Sequence, residues 1–236
     1  MNWLKRGGGQ AENVVPNGLT LWGTGTVRQL RPHWMLAELG LDYEFVKVHP
    51  RSGQTTEDHF LKINPRHKVP VLRHKDLVLC ESAAICLYLA DAFPKPDRIY
   101  VPNDPAERAR LNEWCYFIMS ELDGHALYII RRHLDLKALY GDAPTAVDAA
   151  RAYFNDQFEP IAPRLGQQGR YLFGDMLSVA DIILGTTLDW ALMYQFSLPQ
   201  VALDYRARLV ERPAYNTAKA KAFAEPVIGQ RSKIPA

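Results

Sequence analysis

The chain has 236 residues, of which 47% are hydrophobic, 23% charged and 11% aromatic, within the range of an ordinary globular protein. Its 28 Lys and Arg against 26 Asp and Glu leave a formal net charge of +2, which excludes a broad basic face for nucleic acid. The longest uncharged stretches, Asn13 to Val27 and Trp190 to Leu203, fall short of the ~20 apolar residues a membrane-spanning helix needs.

Met1 to Gly18 has Lys5 and Arg6 but no apolar run behind them, so a flexible leader is expected and not a secretory signal. Leu19 to Gly23 then reads as a short strand closed by a Gly/Thr cluster. Arg28 to Gly40 carries Leu30, Trp34 and Leu36 at helical spacing, with Gly40 as a stop. Pro32 inside it is expected to kink the helix or delay its start. Tyr43, Phe45 and Val48 mark a second strand, and Glu57 to Ile63 a short helix. Val69 to Leu72 and Leu77 to Leu79 form two strands about a His74-Lys75-Asp76 turn. Ser82 to Phe93 is a helix with Ile85, Leu89 and Phe93 on one face. The order is βαβ-α-ββα.

Beyond it the pattern changes. Pro94, Pro96, Pro102 and Pro105 mark a linker, and no strand signal follows. Asp104-Pro105-Ala106-Glu107 opens a helix, with Asp104 as cap, Pro105 at the first position and Glu107 as capping-box partner. Leu111, Trp114, Ile118 and Leu122 form its inner face. Ala150, Phe154, Phe158 and Ile161 form another, which Pro160 and Pro163 should kink or end. Ser178-Val-Ala-Asp181 caps a third helix over Ile182 to Trp190, and Pro213 opens a last short one. The expected architecture is an α/β domain over 19–93, a linker over 94–104, an all-helical domain over 105–225 and a tail over 226–236.

Cys80, Cys86 and Cys115 have no C-x-x-C spacing, so neither a disulfide framework nor a structural zinc site is expected. Free thiols fit a reducing compartment, and a cytoplasmic location is expected. Cys80 reads as a core residue at a strand end. The seven histidines show no His-x-His or H-E-x-x-H spacing, and no metal site is expected. Two segments carry chemistry. In Asn64-Pro-Arg-His-Lys-Val-Pro70, a cis Val69–Pro70 bond would free the Val69 backbone to pair with an extended peptide. Its alternative is a strand after a plain turn. Glu81-Ser82 stands at a helix N-terminus, where free N–H groups and a partial positive charge suit a carboxylate. Ser82 would take the carboxylate and Glu81 an ammonium group; the alternative is a simple cap.

In this order and at these separations, the motifs resemble those of the cytosolic glutathione transferases over roughly residues 19 to 225. The resemblance rests on Asn64-Pro65 through Lys68-Val69-Pro70, on Glu81-Ser82-Ala83-Ala84-Ile85 with Tyr88-Leu89, on Glu38 to Glu44, and on Gly174-Asp175 with Ser178 to Ile182. It implies a thioredoxin-like N-terminal domain, an all-α helical-bundle domain and a homodimer, with no nucleic-acid or membrane partner. It also implies glutathione as co-substrate. Val69 and Pro70 would take the cysteinyl backbone, Glu81 and Ser82 the γ-glutamyl end, and Lys68 or His67 the glycyl carboxylate. His67 departs from the family, which commonly has a small residue there.

The family's chemistry needs a thiolate, and a free thiol with a pKa of ~8.5 is mostly protonated at neutral pH. A hydroxyl after the first strand, with the following helix N-terminus, lowers it. Counting back from Gly40, Thr26 falls closest to that place and Thr24 is second; with a slip of one residue Val27 fills it and Arg28 supplies charge, and the alternative is that the threonines only shape the turn. The segment holds no cysteine, so a hydroxyl class is implied and not a Cys class. Trp114, Tyr116, Phe117 and Met119, with Tyr128 further on, would line the site for a hydrophobic electrophile, aryl ones included; the alternative, stronger for any single one of them, is that they pack the helical core. Arg131-Arg132-His133 reads as a solvated helix face, with contact to an anionic substrate as the alternative. The implied activity is glutathione transfer to, or glutathione-dependent cleavage of, such an electrophile. A non-catalytic glutathione-binding scaffold and a glutathione-dependent peroxidase or reductase are the alternatives.

Overall fold

The computed structural model describes residues 16–224, so the tail expected over 226–236 and all of the leader expected over Met1 to Gly18 except its last three residues lie outside the described residues; those three, Pro16–Gly18, form a 3-10 turn that leads into the first strand. Four strands, β1 (Leu19–Trp22), β2 (Glu44–Val46), β3 (Val71–His74) and β4 (Leu77–Cys80), form one sheet in the order β2-β1-β3-β4. β1 runs parallel to β2 and antiparallel to β3, and β3 pairs antiparallel with β4. Alternation along β1 separates two apolar layers. Leu19 and Leu21 enter the main core with Leu72. Trp22 joins Val48, Phe60 and Val71 in a small second cluster.

Helix α1 (Val27–Leu39) ends at Gly40 in the left-handed conformation, whose N–H returns to Ala37 and Leu36, as a C-terminal glycine stop should. Pro32 does not break it: α1 runs through the proline as a single element. Leu30, Trp34 and Leu36 on either side are fully buried, and this packing outweighs one missing helix bond. α2 (Asp58–Leu61) and α3 (Ser82–Ala92) complete the α/β part. The second strand is shorter than Tyr43 to Val48, and the third begins at Val71, two residues after Val69.

Among the described residues no strand follows Cys80. α4 (Pro105–Phe117) has Asp104 as its cap, with one carboxylate oxygen accepting from the N–H of Ala106 and Glu107 at 2.9 and 3.0 Å. Glu107 does not close a capping box; it accepts from the Tyr100 hydroxyl instead. The chain continues as a π-helix over Ile118–Leu127, then α5 (Tyr128–His133), α6 (Lys137–Tyr140) and α7 (Pro144–Phe158). α7 stops just before Pro160.

α8 (Val179–Met193) starts on a complete capping box of Ser178 and Asp181. It extends a turn beyond Trp190 and is buried over most of its length. Asp181 also accepts from the Leu172 N–H and the Tyr205 hydroxyl, so it ties three segments together while burial pushes its carboxyl pKa up. α9 (Gln200–Val210) and α10 (Pro213–Ala222) close the fold; α9 has no counterpart among the expected elements. No described helix is long and apolar enough to cross a membrane.

Candidate active site

A cleft of about 330 Å³ separates the two parts of the fold. Lys68, Val69, Pro70, Cys80, Glu81 and Ser82 form one wall; Arg28, Met119, Asp123 and Tyr128 form the other. A larger groove of about 620 Å³ lies between α1 and α10 beside Arg98 and Lys221. It holds none of the expected site residues and has no convergent pairing of backbone and charge.

The first wall is built by the 64–70 loop. Val69–Pro70 is cis. Buried Asn64 holds the loop from inside, donating to the Lys68 carbonyl at 2.8 Å and accepting from the Arg66 N–H at 3.1 Å. The Val69 N–H donates to no other described group, and its carbonyl meets only the Gln29 side chain, at 3.5 Å. Gly23 lets β1 pass beside this loop. A Cβ there would stand 3.0 Å from both Val69 Cβ and Gln29 Cγ, and its φ of 130° is one that glycine accepts.

The N-terminus of α3 follows. Glu81 holds φ at 72°, a conformation costly for a residue with a Cβ, and leaves the first N–H groups of α3 without a side-chain cap. Its carboxylate is exposed and meets Arg66 Nη1 at 3.1 Å, a surface pair of little energetic weight. Ser82 is 3% exposed, and its hydroxyl oxygen accepts from Arg31 Nη1 at 3.2 Å. Cys80 is half-buried: it packs against the small Trp22, Val48, Phe60 and Val71 cluster, as its strand-end position implied, and it also lines the cleft. β4 is an edge strand, so its last residue is not covered by a further strand.

The second wall comes from Met119 and Asp123 of the π-helix and Tyr128 at the start of α5, with Arg28 of α1 against them. Met119, Asp123 and Tyr128 are four and five residues apart. Nine residues make two and a half turns of an α-helix at ~3.6 residues per turn, which would put Tyr128 opposite Met119. At roughly 4.4 residues per turn the same nine residues of a π-helix make just over two turns, and the three side chains share one face. Asp123 is fully buried between two guanidinium groups. It takes Arg28 Nε at 2.9 Å and Arg31 Nη2 at 2.7 Å, and also bonds Arg28 Nη2. Although burial acts against ionisation, the two cations hold its pKa below the ordinary carboxylate value. Arg28 lies 4.4 Å from the Tyr128 ring centre and 5.4 Å from that of Trp190, so its charge is fixed at the cleft by one carboxylate and two aromatic faces.

The expected hydroxyl segment lies at the mouth of α1. Thr24 is buried, and its hydroxyl donates to the Ala222 carbonyl at 2.8 Å. The Gly25 N–H reaches the same oxygen at 2.7 Å. Thr26 occupies the N-cap position of α1, yet its side chain makes no cap bond, and no other described group bonds its hydroxyl. Neither threonine lines the cleft; Arg28 does. Val27 is a buried core residue.

Lys68 is exposed at the cleft, whereas His67 is exposed outside the lining set, with φ at 54°. Of the four residues assigned to the hydrophobic substrate, Met119 reaches the cleft. Trp114 is buried against Phe117 and beneath Arg164, and Tyr116 is 63% exposed. Arg131 is 3% exposed, so the Arg131 to His133 run is not the solvated face its composition suggested. Among the described residues no group of three or more His, Cys, Asp or Glu could hold a metal ion.

A mixed four-stranded sheet with a cis-proline loop beside a helix N-terminus, followed by an all-helical part, is the thioredoxin-like plus helical architecture. Family models for the N-terminal and C-terminal domains of glutathione S-transferase match residues 17–91 and 144–213. Glutathione S-transferase D7 of Drosophila melanogaster is 32% identical over 161 residues, covering 68% of each chain. Protein LigF of a Sphingobium strain is 42% identical over 89 residues, 38% of this chain and 35% of that one. A crystal structure of a glutathione transferase from Methylococcus capsulatus superposes with a TM-score of 0.74 at 29% identity, covering 88% of this chain and all of the other. The chain belongs to the glutathione S-transferase family.

Proposed function

We propose that the chain binds glutathione along the first wall of the cleft, ionises its thiol, and directs the thiolate at a hydrophobic electrophile, aryl ones included. Conjugation and bond cleavage use the same machinery. The observation that carries this reading is convergence. The unpaired Val69 N–H, the open N-terminus of α3 with Ser82, and the fixed cation of Arg28 all face one cleft. An extended γ-glutamyl peptide matches that set: its cysteinyl backbone pairs with Val69, its γ-glutamyl carboxylate with Ser82, its ammonium group with Glu81 and its glycyl carboxylate with Lys68 or His67. Thr26 is the favoured hydroxyl for the thiol, because that of Thr24 is committed to Ala222. Arg28 adds positive charge, which favours the thiolate. Met119 and Tyr128 offer the electrophile an apolar and an aromatic surface.

The test is ultraviolet titration of bound glutathione. A thiolate absorbance that rises at least one pH unit below that of the free peptide is expected; titration as in free solution rejects thiol activation. Retention on immobilised glutathione tests binding separately, and a screen of aryl halides, aryl ethers and peroxides identifies the electrophile. A second reading is a glutathione-binding protein without turnover. The absence of Thr26 from the cleft lining favours it, and bound glutathione with an unshifted thiol would establish it. The reading carries a homodimer as well. Leu77 and Val78 on edge strand β4 are 40% and 41% exposed, an apolar surface suited to a second copy.

A further inference from the structure

Arg31 lies behind the first wall, fully buried on α1. A guanidinium donates at five N–H positions and accepts at none. All five are spent: Nε on Thr186 Oγ1 at 2.9 Å, Nη1 on Ser82 Oγ at 3.2 Å and Met119 Sδ at 2.9 Å, and Nη2 on Asp123 Oδ2 at 2.7 Å and Thr187 Oγ1 at 3.1 Å. The two threonine hydroxyls send their own protons back to helix carbonyls, Thr186 to Ile182 and Ile183, Thr187 to Ile183. Their lone pairs are therefore what Arg31 meets. Ser82 differs. Its oxygen accepts from Arg31, so its proton cannot point inward, and no described group accepts it. The charges are also uneven. Asp123 serves both Arg28 and Arg31, which leaves the three-residue cluster one negative charge short.

We infer that Arg31 is a positioning residue for carboxylate recognition. By occupying the Ser82 oxygen from inside the fold, it turns the Ser82 hydroxyl proton into the cleft as a donor to the α-carboxylate of a γ-glutamyl ligand. That carboxylate is the counter-charge the Arg28–Asp123–Arg31 cluster lacks. The inference rests on the reading of the cleft as a glutathione site. A lysine cannot substitute, because a point charge with three donors does not span Ser82, Asp123 and two threonines.

The experiment compares glutathione with 4-aminobutanoyl-cysteinylglycine, the same peptide without the α-carboxylate, by calorimetric titration against the wild type, Arg31→Lys, Ser82→Ala and the double variant. The wild type is expected to bind glutathione at least tenfold more tightly than the analogue. Arg31→Lys and Ser82→Ala should each lose about tenfold for glutathione and less than twofold for the analogue, and the double variant should lose no more than Ser82→Ala alone. Equal losses for both ligands in Arg31→Lys, or losses that multiply in the double variant, overturn the inference and leave the glutathione site standing. A wild type that binds neither peptide overturns the site itself. If Arg31→Lys does not fold, Ser82→Ala decides: a variant that still discriminates the two peptides refutes the role given to the Ser82 proton.

Discussion

The two walls of the cleft are made in different ways. The α/β wall presents mostly backbone: the Val69 amide, the first N–H groups of α3, and one hydroxyl held from behind. The helical wall presents side chains, Met119, Asp123 and Tyr128, brought into line by a π-helix. A backbone wall suits a ligand part that never varies, since peptide groups recognise peptide groups whatever the neighbouring side chains. A side-chain wall is open to change one residue at a time, which suits the varied electrophile.

The comparison is broken most severely at Asp123. Asp123→Ala leaves two buried guanidinium groups sharing no carboxylate, and a loss of about 3–5 kcal/mol is expected, read as a shift in the urea midpoint. An unchanged midpoint would mean that Arg28 and Arg31 are not held by this residue. Acid acts on the underside of the other wall. Buried His33 bonds the Gly23 carbonyl and the Tyr43 hydroxyl, and burial lowers its pKa to about 4. In the unfolded chain its pKa lies near ~6.5, so the unfolded state binds the proton first as pH falls. The neutral ring's stabilisation is complete above pH ~6.5 and is lost as pH drops toward about 4, on the order of 3 kcal/mol. His33→Gln should flatten that part of the stability–pH curve; an unaltered slope would assign it to other groups.

Two threonines sharpen the contrast further. Thr26→Ala should reduce kcat at least tenfold, equivalent to about 1.4 kcal/mol, and abolish the low-pH thiolate signal while glutathione still binds. Thr24→Ala should instead cost about 1 kcal/mol of stability and leave the thiolate signal in place. The reverse pattern would exchange their roles. The smallest effect concerns the thiols. Cys86 and Cys115 are buried, with burial raising both pKa values, that of Cys115 to about 12. Cys80 lines the cleft, so one thiol of the three should react with an aromatic disulfide in the native state, more slowly when glutathione is bound. Three equally slow thiols would place Cys80 out of reach.

The α/β wall was legible because its signals are local. Asn64 to Pro70 and Glu81-Ser82 each act within a few residues, and the capping box of Ser178 and Asp181 is written in four. The helical wall was not. A reading at the α-helical period places Met119 and Tyr128 on opposite faces, and nothing in the composition of Ile118 to Leu127 announces a wider turn. Arg31 escaped for another reason. An arginine amid an apolar helix face is ordinarily taken as solvent-exposed, and its partners Ser82, Asp123, Thr186 and Thr187 are far away in sequence. Arg66, which meets Glu81, stood inside a recognised motif but at its unassigned position. α9 was missed because Gln200 to Val210 opens with neither a side-chain cap nor a proline at its first position, the signal that Pro213 gives for α10.

Helix α1 belongs to the sheet by sequence and to the helical part by contact. Trp34 packs edge-on against Tyr215 of α10 at 4.9 Å, Glu38 pairs with Arg212, and Gly185 of α8 sits against both α1 and α9, where a Cβ would stand in ordinary contact with the Trp34 ring at 3.4 Å and crowd Leu209 Cδ1 at 2.8 Å. The buried apolar residues on both sides of the linker form one continuous cluster. Two units of chain that share a core are therefore expected to melt as one cooperative unit, in a single calorimetric transition. Neither can loosen to admit a substrate without the other's core registering it, so opening and closing of the cleft falls to its side chains and loops, and the hinge that two domains would ordinarily provide is already spent on stability.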